Sequence, residues 1–154
     1  MILILLAVLL LPVKLLAASN HGSDQLLRLW LIPGDDQFSV SYTHSVELTE
    51  VVEIYRIEHT QIYLQETIFS SYGAGLPATT DYPFEVTDQG FRIYDMNQLV
   101  DPLVYRTGAV RADHQLILED KQMAFLDFSQ PAEGVRFEIK RLPLLYYLYK
   151  EVFQ

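Results

Sequence analysis

Gln37-Phe-Ser-Val-Ser-Tyr-Thr43 alternates without a break: Phe38, Val40 and Tyr42 fall on one face, Ser39, Ser41 and Thr43 on the other. A period of two is the signature of a half-buried strand. Pro33-Gly-Asp-Asp36, just before it, is a turn signal, and Leu26 to Ile32 before that is a second apolar run. Downstream, 51–58 and 61–69 are rich in Val, Ile and Tyr. Phe84–Val86 and Phe91–Tyr94 flank Asp88-Gln-Gly90, a hairpin loop in which glycine would supply positive φ. Strands are also expected at 103–107, 115–119, 123–128 and 135–141. In the last, Val135, Phe137 and Ile139 oppose Arg136, Glu138 and Lys140. The pattern predicts an all-β fold, an antiparallel β-sandwich or small barrel of about eight to ten short strands. Leu142 to Phe153 reads as a short C-terminal helix with Pro143 in its first turn. No strand–helix–strand unit of about 30 residues is visible, which argues against a parallel α/β sheet.

The chain has 154 residues, 11 Lys and Arg, 20 Asp and Glu, a formal charge of −9 and no cysteine. Half of it is apolar, which excludes an intrinsically disordered chain. Its acidity argues against nucleic acid as a partner. Without cysteine there is no disulfide framework and no thiolate chemistry.

Residues 1–18 are nearly all apolar and end in Ala17-Ala18. They read as a signal peptide or an N-terminal membrane anchor, too short for a comfortable span. Residues 19–25 then form a flexible start, and 26–154 a single β-rich domain. The expected location is periplasmic or extracytoplasmic, with the inner membrane reached only through an uncleaved segment 2–18.

The densest polar cluster is Tyr42-Thr-His-Ser-Val-Glu-Leu-Thr-Glu-Val-Val-Glu53. Its imidazole and carboxylates make His44, Glu47 and Glu53 candidate metal ligands, with His114 joining across the sheet. His44 and Ser45 point to opposite faces of an extended strand, so they are not a catalytic dyad. Gly73-Ala-Gly-Leu-Pro77 combines two glycines and a proline; it is either a tight turn or an anion-binding nest formed around Gly73, Ala74 and Gly75. Arg106 could clamp a carboxylate, from a substrate or from Glu47 or Glu53.

The polar cluster followed by Gly73-Ala-Gly-Leu-Pro77 resembles domain-of-unknown-function family 1850, over about residues 27–120. Arg106-Thr-Gly108 and His114 also suit the pattern. The resemblance implies a small exported or membrane-anchored bacterial protein, encoded beside the membrane component of a TRAP-type (tripartite ATP-independent periplasmic) transporter. It carries no activity and no known cofactor.

Three functions follow as expectations. The first is an accessory domain binding a ligand or docking on the transporter's membrane component, with its site at His44, Ser45, Glu47, Glu53, the 73–77 loop and Arg106. A small molecule or ion would be its ligand. The second is a metal-assisted enzyme using His44, Glu47 and Glu53. The third is a purely structural interaction module. A non-enzymatic role is the expectation.

Overall fold

The computed structural model describes residues 7–32, 34–70, 80–88, 90–108 and 111–153. In chain order the strands are β1 (Pro12–Asn20), β2 (Leu26–Leu31), β3 (Gln37–Thr43), β4 (Glu50–Glu58), β5 (Gln61–Phe69), β6 (Phe84–Thr87), β7 (Gly90–Ile93), β8 (Gln98–Leu99), β9 (Leu103–Arg106), β10 (Gln115–Leu118), β11 (Lys121–Ala124) and β12 (Gly134–Pro143). A 3₁₀ turn, Phe125–Asp127, follows β11, and helix α1 (Leu144–Phe153) follows β12 directly.

Two antiparallel sheets pack face to face, and neither closes into a barrel. The first has the order β2-β1-β12-β9. The second has the order β11-β10-β3-β4-β5-β7-β6, with β8 paired to β5. The alternation read from 37–43 is what the pleat uses: Phe38 and Val40 join Tyr55, Ile57, Leu116 and Leu118 on the inner face of the second sheet. Leu16, Ala18, Val135, Phe137 and Ile139 meet them from the first. Phe125 lies among these side chains, 5.4 Å from Phe137 between ring centroids.

Gly90 has φ 125°, and a Cβ there would sit 2.5 Å from the carbonyl oxygen of Phe69. The β6–β7 hairpin therefore packs its first β7 residue where only glycine fits.

The expected boundary at Ala18 falls within a strand. Pro12–Asn20 is an inner strand of the first sheet, in continuous register with β12 from Pro12↔Pro143 to Asn20↔Val135. Leu15, Leu16, Ala17 and Ala18 are fully buried. A cut after Ala18 would remove the strand that joins β2 to β12. Residues 19–25, expected as a flexible start, comprise the end of β1 and the turn to β2. Asn20 caps a hairpin turn, its Oδ1 accepting from the backbone N–H groups of Gly22 and Ser23 at 2.8 Å each. No helix among the described residues is long and apolar enough to cross a membrane. At the other terminus Pro143 ends β12 instead of sitting within the helix. The segment expected as a strand over 123–128 splits into the end of β11 and the 3₁₀ turn.

Candidate functional site

The polar cluster divides into two places. Its first half closes a turn at the end of β3. The His44 N–H donates to the Thr49 carbonyl at 2.8 Å, and the Leu48 N–H returns to the His44 carbonyl at 3.0 Å. His44 Nδ1 accepts from the Glu47 N–H at 3.3 Å. Leu48 adopts φ 57°, a left-handed conformation unusual for a leucine. This folding turns Val46 and Leu48 outward, 66% and 63% exposed. Ser45 is exposed in the same turn.

The second half leads into the interior. Glu53 shares a face of β4 with the buried Val51 and Tyr55, so its carboxylate points between the sheets. Three phenols meet it. Tyr55 Oη donates to Glu53 Oε2 at 2.9 Å. Tyr42 Oη lies 3.5 Å from Oε1. Tyr105, on β9 of the opposite sheet, also donates to Oε2, and the Tyr55 and Tyr105 hydroxyls are in contact. An ionised carboxylate accepts hydrogen bonds only, and here hydroxyls from both sheets supply them. Burial, and then the negative charge of Glu53, push the phenols of Tyr42 and Tyr55 well above the ordinary tyrosine value. Tyr105 is shifted the same way by burial, Tyr55 and Glu53. The phenols stay protonated and serve as donors.

His114 closes one side of this cage. Its ring stacks on Tyr42 at 5.3 Å and meets the edge of Tyr105 at 5.7 Å. Its Nδ1 faces the Gly108 N–H at 3.4 Å. Burial lowers its pKa, with Asp113 acting in the opposite direction. A neutral ring is what an accepting Nδ1 requires. Gly108 lets Ala112 pack closely beside it, because a Cβ there would lie 2.5 Å from the Cβ of Ala112.

The structure thus brings Glu53 and His114 to one cluster and leaves His44, Ser45 and Glu47 on the rim turn. Among the described residues no three His, Asp or Glu side chains gather as a metal set, so His44, Glu47, Glu53 and His114 do not form one. The clamp expected between Arg106 and Glu53 is not formed. Arg106 alternates with Tyr105 along β9, is exposed, and lines a shallow cleft with His21, Gly22, Val104 and Gly134. Gly73, Ala74 and Gly75 lie outside the described residues.

The sequence reading missed the tyrosines. Tyr55 was legible, since it follows Glu53 by two on one strand and must share its face. Tyr105 was not, because its approach depends on how the two sheets stack.

With the cage and rim turn in view, the family comparison has a structural meaning. A family model described as a domain of unknown function, DUF1850, matches residues 38–125. This chain belongs to the DUF1850 family. The matched span begins in β3 and ends at Phe125, so it contains Tyr42, Glu53, Tyr55, Tyr105 and His114. It leaves out β1, β2, β12 and α1. The DUF1850 span is therefore the second sheet together with β9, the strand of the first sheet that carries Tyr105. No curated protein and no solved structure matches the chain.

Proposed function

We infer that this DUF1850 chain is an extracytoplasmic, non-enzymatic accessory module that docks on a TRAP-type transporter through its 44–49 turn. The observation that carries the reading is the exposure of Val46 and Leu48 on a turn closed by its own hydrogen bonds. Apolar side chains held rigidly outward lose little entropy when a partner covers them. The Glu53 cage supports the turn from below, tying the strands that flank it to β9. Its donors and acceptor satisfy one another, which suits a latch better than a nucleophile or a general base. The transporter context comes from the family resemblance. The apolar segment Met1–Leu11 supplies the export signal, and β1 follows it from Pro12.

The test is capture of the transporter's membrane component from detergent-solubilised membranes by the full chain. Val46→Asp combined with Leu48→Asp should reduce capture at least about tenfold, while Arg106→Ala leaves it intact. Capture that survives the double substitution would remove the turn as the docking site. No capture by the unaltered chain would remove the transporter as partner.

A further inference from the structure

Helix α1 faces the wrong way for a helix of a soluble domain. Tyr147 turns inward, onto Leu15, Ala17 and Leu29 on the outer face of the first sheet. Leu145, Tyr146, Val152 and Phe153 fall within about 60° of Tyr149 on either side, at 100° per residue. All five are exposed, Val152 and Phe153 by 74% and 72%, and no residue of the helix is buried. An amphipathic helix on a globular core normally buries its apolar stripe. Here the stripe looks outward, and the polar Glu151 is turned back to Arg28, 3.9 Å away.

Two further observations say what covers it. The first is continuity with the N-terminus. The Leu144 N–H donates to the Leu11 carbonyl at 3.0 Å, and Leu10 lines an apolar groove with Pro143, Leu145, Tyr146 and Tyr149. Leu10 and Leu11 are themselves exposed, and Met1 to Leu11 contains no charged or polar residue. The second is charge. The elements β1, β2, β12 and α1 hold six of the eleven basic residues (Lys14, Arg28, Arg136, Lys140, Arg141 and Lys150) but only two of the twenty acidic ones, Glu138 and Glu151. Lys14, Arg28, Arg136 and Lys140 are paired with Asp36, Glu151, Asp24 and Glu138, so the excess positive charge of this layer rests on Arg141 and Lys150. Val135, Phe137 and Ile139 point into the core, so Arg136, Glu138 and Lys140 lie on the outer face, where Glu138 pairs with both cations.

We propose that α1, together with the neighbouring Leu10 and Leu11, seats this face on an anionic lipid bilayer. The aromatic and aliphatic stripe enters the headgroup boundary, and Arg141 and Lys150 meet lipid phosphates. The 44–49 turn belongs to the other sheet, so the proposal stands independently of the transporter reading.

The test is flotation of the full chain with phosphatidylcholine vesicles, with and without about 30% phosphatidylglycerol. The chain should float with the anionic vesicles, and less so in roughly 0.5 M salt. Tyr149→Glu with Val152→Glu should cut partitioning by about tenfold or more, with an unchanged melting temperature because neither side chain packs inward. Undiminished flotation of that variant would overturn the proposal, leaving the N-terminal segment as sole anchor. Equal flotation on neutral vesicles would overturn the part played by Arg141 and Lys150. A dimer in solution that the variant abolishes, without vesicle binding by either form, would assign the stripe to a second copy of the chain.

Discussion

Glu53 shows how one side chain can be polar, half-buried and still stabilising. A carboxylate between two sheets costs several kcal/mol unless its lone pairs are met, and three tyrosines meet them. Tyr105→Phe removes the donor that crosses from the other sheet. It should lower unfolding free energy by about 1–3 kcal/mol in urea titration. Arg106→Ala, one residue away on the exposed face, should stay within about 0.5 kcal/mol. Equal effects for the two would remove the latch. The cage also sets the response to alkali. Folding raises the phenol pKa values above the unfolded value of 10.0, so their contribution is full below pH 10 and is lost as pH rises beyond it. His114 has the opposite sign at the other end of the scale. Its pKa is lowered from 6.5, so stability is full above that value and falls as the unfolded chain takes up a proton below it. The urea midpoint should therefore drop between pH 7.5 and pH 5, and His114→Gln should flatten that slope. A slope unchanged in the variant would place the acid sensitivity elsewhere.

At the scale of elements, the difference between what was legible and what was not falls on β1. The strands β3, β4, β5 and β12 were readable because one face is buried and the other is not, and alternation records that asymmetry. Strand β1 has no such record. Its one face packs on the core with Leu16 and Ala18, and its other face lies under Tyr147 with Leu15 and Ala17. A strand covered on both faces reads as a continuous apolar run, and so does an export signal. Lys14, the one charge in this apolar run, pairs with Asp36 at 2.7 Å where the first sheet meets the β2–β3 turn. Asn20 to Asp24, which looked like a flexible start, is the β1–β2 turn. The prediction is direct. A chain beginning at Ser19 should fail to fold, with no cooperative melt and poor dispersion of its amide resonances. The intact mass of the protein recovered from cells should include Pro12. A cooperative transition in the shortened chain would show that β1 is dispensable.

At the scale of the whole molecule, the chain sorts its chemistry by layer. The span that defines the DUF1850 family holds the rim turn and the Glu53 cage, while the layer outside that span holds β1, β2, β12 and α1. Two sheets in a sandwich lie about 10 Å apart. A domain resting on lipid through α1 would therefore carry its 44–49 turn on the far sheet, above the bilayer. It would reach only those parts of a transporter that rise from the membrane. That geometry makes the two surfaces separable. Val46→Asp with Leu48→Asp should abolish capture of the partner and leave vesicle flotation unchanged. Tyr149→Glu with Val152→Glu should do the reverse when capture is measured in detergent, where no bilayer is needed to bring the partners together. In reconstituted vesicles, the α1 variant should also weaken capture, because release from the surface lowers the local concentration of the turn around the transporter. Loss of both activities by either pair of substitutions in detergent would mean that one surface serves both partners, and the layered division of roles would be wrong.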